Sequence, residues 1–334
     1  MGKISVLGTG GWGIALAVHA HSLKHSVTMW SPFENEVEEL NRERENKKLL
    51  KGIKIPDEIR ISTDIDACKG SDITIIAVPS FAVRSTAARL KGIDCGIIVN
   101  VAKGFEKGSL LRLSEVIAEE LPEEKIVVLS GPSHAEEVSR GVPTTVVSAS
   151  KDIEASDYVQ KALISSAFRI YTNHDVVGVE VGGAMKNVMA VAAGIENGLK
   201  IGDNTRAALL TRGLAEIARL GVAMGAETHT FMGLSGLGDL IVTCMSEHSR
   251  NNRFGNLVGQ GIDVDAALKA VGTVEGYYAT DIARDLAAKF DVDMPISEEC
   301  YNILYNGSTP LEAIKSLMSR PRKTEEEQPW MYRF

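Results

Sequence analysis

Cysteine and aromatic residues are both sparse in this sequence: four cysteines among 334 residues, and Phe, Trp and Tyr together at 5%. Cys68, Cys95, Cys244 and Cys300 are scattered, with no Cys-x-x-Cys pair and no histidine pair nearby. That argues against a disulfide framework and against a zinc site, so no metal is expected, and a reduced cytoplasmic compartment fits best. Positive charge is also short. Thirty-six Lys and Arg against 44 Asp and Glu leave a net charge of -8. Such a balance argues against nucleic acid or an anionic membrane as the main partner. It also means that an anionic substrate needs a locally positive pocket. Long hydrophobic runs are missing. No apolar stretch approaches about 20 residues without a polar interruption, and no cleavage-site pattern follows the N-terminus, so neither membrane insertion nor a signal peptide is expected.

What is present is the composition of an ordinary globular protein, 44% hydrophobic and 24% charged, rich in Gly and Ala. The length suits about two domains of roughly 150 residues. Up to about residue 178, short β-branched runs alternate with helical patterns. The runs at 3–8, 26–30, 72–79, 96–104, 125–132, 143–150 and 168–173 read as strands. The segments 11–21, 80–91, 109–120 and 133–140 read as helices. Ser31, Pro32 and Glu34 read as a capping box opening a further helix. Such alternation predicts a Rossmann-type, doubly wound parallel sheet with helices on both faces. From residue 179 to 334 the pattern is helical, so the expected architecture is α/β: a dinucleotide-binding domain over 1–178 and an all-helical substrate and catalytic domain over 179–334. The Gly- and Ala-rich helices 179–198 and 204–225 suit packing within one chain or across a homodimer. The tail RPRKTEEEQPWMYRF reads as a frayed or docked extension.

The segment Gly8-Thr9-Gly10-Gly11-Trp12-Gly13 follows a strand and opens a helix. In that place Gly8 permits the tight turn, Gly10 lets the backbone approach a pyrophosphate, and Gly13 lets the helix pack on the strand. Amide groups at the helix start would hold the phosphates. The blander alternative is a plain strand–helix turn. The second strand ends Trp30-Ser31-Pro32-Phe33, with neither the acid that favours NAD nor an Arg that favours NADP. Glu34 comes late, and the next cation is Arg42.

Lys186 is the only charged residue between Val181 and Ile195. A helix so apolar must be largely buried, and a buried amine either finds a partner or loses its proton more easily, which suits proton transfer near neutral pH. A structural ion pair with Glu180 or Asp239, or a snorkelling lysine, is the alternative. Lys103 follows a strand, where ligands sit in open α/β folds, although a surface lysine often stands in such a place. Gly131-Pro132-Ser133-His134-Ala135-Glu136 ends another strand. Ser133 and Glu136 read as a capping box, and His134 could titrate usefully. Asp239 sits in a glycine-rich turn. Ser249-Arg250-Asn251-Asn252-Arg253 reads either as a clamp for a small phosphate or as a solvated loop.

Taken together, VLGTGGWGIALA, VAKGFE, LSGPSHAEEV, GGAMKNVMAVAAG, GLGDLIVTC, SRNNRFG and VEGYYAT resemble the soluble bacterial NAD(P)-dependent glycerol-3-phosphate dehydrogenases, from the first strand to about residue 305. The resemblance implies hydride transfer between NAD(P)(H) and the pair sn-glycerol 3-phosphate and dihydroxyacetone phosphate, feeding phospholipid synthesis. It implies Lys186 as the proton-transfer residue. Lys103, Gly131, Ser133, Asp239, Ser249, Arg250 and Asn251 match its substrate-contacting positions. Trp12, Ala135, Val274 and Glu275 match cofactor-contacting ones, with Lys103 and Arg250 in both sets and the glycine turn beneath the pyrophosphate. Gly11 replaces a more usual Ser, and His134 stands where Phe is common. The basic residue often found after the second strand is absent, which leaves NADH versus NADPH open. Two rival readings stand beside this one: a 3-hydroxyacid or sugar-acid dehydrogenase of similar plan, and a non-catalytic NAD(P) sensor.

Overall fold

The computed structural model describes residues 1–322 and 324–325, so most of the tail expected to fray or dock lies outside the described residues. The chain divides into two compact units, Met1–Glu106 with Leu111–Val176, and Lys107–Leu110 with Val177–Phe334.

In the first unit β1 (Lys3–Leu7), β2 (Ser26–Trp30), β3 (Arg60–Ser62), β4 (Ile73–Ile76), β5 (Ile97–Asn100), β6 (Ile126–Ser130), β7 (Thr144–Ala149) and β8 (Phe168–Asn173) form one sheet. Its order is β3-β2-β1-β4-β5-β6-β7-β8. The connecting helices are α1 (Gly11–Ser22), α2 (Glu34–Glu43), α3 (Val83–Ala88), α4 (Leu113–Glu120), α5 (Ala135–Val138) and α6 (Ile153–Leu163). Because both faces are covered, the central strands are buried along nearly their whole length rather than alternating between buried and exposed. Ile4, Val6, Ile73 and Ile75 enter one buried cluster, while Leu7, Ile76 and Ile98 enter another. From β1 the chain passes to β2 on one side, and β4 pairs with β1 on the other. The turn leaving β1 therefore sits where strand order reverses, the place at which open α/β sheets take ligands.

The sheet departs from the expected pattern in three places. β7 runs antiparallel to β6. The only helix between them, α5, has four residues, too short at about 1.5 Å per residue to carry the chain back to the start of a strand. β3 is a three-residue edge strand without periodicity to announce it. The capping box read at Ser31 and Glu34 does not form. Helix α2 starts at Glu34 after Phe33, and the Ser31 hydroxyl donates instead to Glu36 Oε2 at 2.6 Å. Pro32 holds the preceding residue extended, so the chain needs further residues to enter the helix.

The second unit carries α7 (Val176–Leu199), α8 (Asp203–Ala223), α9 (Asp239–Met245), α10 (Arg250–Gly259), α11 (Val264–Val271), α12 (Glu275–Phe290), α13 (Pro295–Tyr305) and α14 (Pro310–Met318), with no strand among the described residues. By length and composition α7 is apolar enough to cross a membrane, but 94% of its apolar window is buried within the protein, which makes it a core helix. Helices α7 and α10 meet backbone to backbone. A Cβ on Gly194 would come within 2.1 Å of Asn252 O, and one on Gly255 within 2.1 Å of Val191 O.

Glu216 ties α8 to the start of α13. It is 2% exposed and accepts hydrogen bonds from Ile296 N, Ser297 N and the Ser297 hydroxyl. Burial pushes its carboxyl up from the ordinary 4.5 to about 7, against those donors, which favour the charged form. A proton bound in the native state and lost from the unfolded one makes stability fall as pH rises through that window, by about 3 kcal/mol at most. Melting curves of the unaltered chain and Glu216→Gln between pH 4.5 and 7.5 should show the stability advantage of the glutamate shrinking as pH rises. A difference that stays flat across the window would refute the assignment.

Candidate active site

The site residues of the first unit gather at the carboxyl ends of its strands. Gly8 holds φ +119°, and a Cβ there would come within 2.4 Å of Ala77 O. A Cβ on Gly13 would come within 2.3 Å of Gly8 O. Both glycines are thus required by the close approach of β1, α1 and β4. Gly10 differs, since a Cβ there would meet nothing within 4 Å. The space beside it is open on the side where a ligand would lie. Gly10 caps α1, which has no side-chain cap and no acid in its first turn. An uncapped helix start beside open space fits a dinucleotide pyrophosphate, which would receive the first amide groups of α1. Trp12 packs partly against the core, and Ala135 Cβ lies 3.7 Å from the position of a Cβ on Gly11. The structure thus brings Ala135 to the turn. It also accounts for Gly11, where a Cβ would sit 2.8 Å from Leu49 O.

Lys103, Gly131 and Ser133 form a second group in this unit. Lys103 Nζ donates to Gly131 O at 3.1 Å, and the Ser133 hydroxyl donates to the same oxygen at 2.9 Å. Ser133 is not the cap of α5, as its spacing from Glu136 suggested. That cap is His134, and α5 is a single turn beginning at Ala135. Gly131 has φ +130°, and the Ser133 hydroxyl folds back onto the carbonyl of this turn.

In the second unit Lys186 lies within α7, 6% exposed. Its Nζ donates to Asp239 Oδ1 and, at 2.7 Å, to Thr243 Oγ1. Asp239 opens α9 and Thr243 follows one turn later, so the two side chains share a helix face. The Thr243 hydroxyl in turn donates to Asp239 O at 2.6 Å, which fixes the direction of its lone pairs. Of the partners open to Lys186 in the sequence, the structure selects Asp239. Thr243 was missed, although its i, i+4 spacing from Asp239 was there to be read. Burial pushes the Cys244 thiol up to about 12, so it stands beside the pair as a neutral group.

Ser249 caps α10 by accepting from Asn252 N at 3.2 Å, and Arg250, the first residue of the helix, is exposed. Asn251 has partners within the protein. Its Nδ2 donates to Asn187 Oδ1 at 2.9 Å and its Oδ1 accepts from Gly276 N at 2.9 Å. It joins α7, α10 and α12 one residue away from Lys186. Asn187 was also missed, for nothing in its sequence surroundings marks it as a partner of Asn251. Val274 is fully buried in an apolar cluster and has only its backbone to offer a ligand, whereas Glu275 opens α12 and is partly exposed. No cluster of potential metal ligands occurs among the described residues.

Residues 3–156 match the family described as NAD-dependent glycerol-3-phosphate dehydrogenase N-terminus, and residues 175–315 the corresponding C-terminus. A glycerol-3-phosphate dehydrogenase [NAD(P)+] of Thermoanaerobacter sp. is 52% identical over 97% of this chain and 98% of its own. One of the same description from Fusobacterium nucleatum is 50% identical over 97% and 99%. The crystal structure of glycerol-3-phosphate dehydrogenase from Coxiella burnetii superposes with a TM-score of 0.92 at 39% identity, covering 96% of this chain and 99% of that one. A ketopantoate reductase from Ralstonia eutropha, at 13% identity and a TM-score of 0.61, shares the fold alone.

Substituting Gly8 tests the turn. Gly8→Ala forces a side chain into a left-handed backbone and against Ala77 O, at a cost of about 1–3 kcal/mol for the backbone strain alone. The variant should melt at lower temperature and bind NADH more weakly in a fluorescence titration. Unchanged values for both would show that the turn is not under this constraint.

Proposed function

The chain belongs to the NAD-dependent glycerol-3-phosphate dehydrogenase family, and from that premise we propose how its residues interconvert sn-glycerol 3-phosphate and dihydroxyacetone phosphate with NAD(P)(H). The glycerol 3-phosphate formed supplies phospholipid synthesis. One observation carries the assignment of roles: an ammonium in the core of an apolar helix, held by a carboxylate and a hydroxyl. A buried pair of this kind contributes little net stability, so its presence is better accounted for by chemistry.

When bound, the nicotinamide dinucleotide would supply the hydride chemistry at C2 that interconverts dihydroxyacetone phosphate and glycerol 3-phosphate. The amide groups from Gly10 to Trp12 hold its pyrophosphate, with Gly8 and Gly13 shaping the turn and Ala135 beside it. Backbone groups of Val274 and the side chain of Glu275 contribute further contacts. During reduction Lys186 donates a proton to the oxygen on C2, and during oxidation the neutral amine removes it. Asp239 and Thr243 hold Nζ in one orientation, so little reorganisation is needed at the moment of transfer. Lys103, positioned by Gly131 O, adds positive charge for the developing oxyanion, and Ser133 contributes a hydroxyl. Arg250 binds the substrate phosphate in charge-assisted fashion, helped by Ser249 at the start of α10. Asn251 acts by holding three helix segments together around Lys186.

The reading includes a phosphorylated small molecule as partner, rather than nucleic acid or a membrane, and a cytoplasmic location, supported by four buried free thiols. A homodimer belongs to the same reading. A keto acid or sugar acid brings a carboxylate where this substrate has a phosphate ester, and a sensor would need no proton donor.

Absorbance at 340 nm with dihydroxyacetone phosphate tests the proposal. Lys186→Met should lower turnover by about 10²–10⁴-fold while leaving dinucleotide affinity nearly intact. Near-normal turnover in that variant would remove Lys186 from proton transfer. Arg250→Ala should chiefly raise KM for the phosphorylated ketone, and an unchanged KM would take Arg250 out of the phosphate clamp.

A further inference from the structure

In sheets of this type the residue at the end of the second strand meets the adenosine ribose of a bound dinucleotide, and an acid there pairs with the 2′-hydroxyl. Here that position is Ser31. Trp30 ends β2, and its carbonyl accepts from Gly8 N at 2.8 Å, which sets Ser31 beside the glycine turn. Ser31 N donates to Ser62 O at 3.2 Å, fixing the backbone, and its hydroxyl donates to Glu36 Oε2 at 2.6 Å. A carboxylate absent from the strand itself is thus delivered to its end from the first turn of α2. Glu36 is partly exposed, and among the described residues no other hydrogen bond or ion pair engages it. The nearby cations are mostly held elsewhere. Arg42 and Lys47 lie on Glu43 at 3.0 and 2.8 Å, Lys54 on Glu45 at 3.0 Å, and Arg44 donates to Ile59 O at 2.8 Å. Lys48 and Lys51 are exposed on the segment that follows.

We propose that Glu36, seated by Ser31, makes this chain select NAD(H) over NADP(H). Its carboxylate accepts the ribose 2′-hydroxyl and repels a 2′-phosphate. This rests on the reading of the glycine turn as a dinucleotide site. It goes beyond that reading by naming the cofactor and the residue that chooses it.

Equilibrium titration of the full chain with NADH and with NADPH, followed by nicotinamide fluorescence and calorimetry, tests this without turnover. NADH should bind tighter by about tenfold or more, since like charges brought together are costly. Glu36→Gln should weaken NADH, strengthen NADPH and bring the two Kd values within about threefold of each other. Ser31→Ala should move both in the same directions by less, and unchanged melting temperatures would show both variants folded. Equal or tighter binding of NADPH by the unaltered chain overturns the proposal. So does a Glu36→Gln variant in which both affinities change by one factor. Absence of saturable binding by either dinucleotide would strike the site reading itself, and is distinguishable from both.

Discussion

A charged amine inside an apolar helix bundle cannot stand without an opposite charge at bonding distance, and the pairing of Lys186 with Asp239 supplies it. Much of the helical unit is arranged to bring the two together. Lys186 comes from the middle of α7, and Asp239 must arrive from another part of the chain at the same depth. It does so through a tight π-helical turn, Leu234–Gly238, pressed against α7. A Cβ on Gly182 would come within 2.6 Å of Ser235 O, so glycine at 182 is what lets that turn approach. Thr243 then completes the grip one helical turn further on. Further along α7 the mutual glycines at 194 and 255 bring α10 down to backbone contact. This places Asn251 against Asn187. Small residues do here what large ones do in an ordinary core: they set distances.

The sheet obeys a related constraint at its own center. Gly8 and Gly13 allow β1, α1 and β4 to meet without side chains between them, while Gly10 keeps the next space open. Two kinds of glycine thus sit within one turn, those that let protein meet protein and one that leaves room for something else. The distinction decides which of them shape the fold and which bears on ligand binding.

The sequence carried different parts of this with different clarity. Strands buried on both faces announce themselves as apolar runs, so β1 and β2 appeared where expected, while β8, buried at Phe168 and Ile170 and exposed between them, shows the alternation of an edge strand. The three-residue β3 offers no such run, and the direction of β7 depends on the length of a helix that has a single turn. Lys186 stood out because one charge in an apolar helix is chemically expensive. Its partner lies 53 residues away, and the sequence left Glu180 and Asp239 as equals because a helix face cannot show what packs against it. The capping readings at Ser31 and Ser133 failed for a common reason. A hydroxyl followed three residues later by Glu has the right spacing, but Ser31 bonds to Glu36 and Ser133 to Gly131 O. Asn251 was assigned to the substrate by the family resemblance, and what the structure adds is its bonds to Asn187 and Gly276, which no sequence pattern announces.

An acidic chain that handles anions must be sparing with its negative charge somewhere, and the helix starts show where. A carboxylate in the first turn of a helix is favourable by about 0.3–1 kcal/mol. Ten of the fourteen helices among the described residues carry one: α2, α4, α5, α6, α8, α9, α11, α12, α13 and α14. The four that do not are α1, α3, α7 and α10. Helix α3 runs on directly from a 3₁₀ turn at Ser80–Ala82, and α7 starts on largely buried apolar side chains, so neither has much use for one. That leaves α1 and α10, which are the two helices assigned to the dinucleotide pyrophosphate and the substrate phosphate. Each forgoes a stabilising acid that most other helices in the chain possess. Stability alone would favour acids there too. A phosphate arriving at each start accounts for both omissions, because it would supply the missing negative charge on binding and be repelled by a resident one.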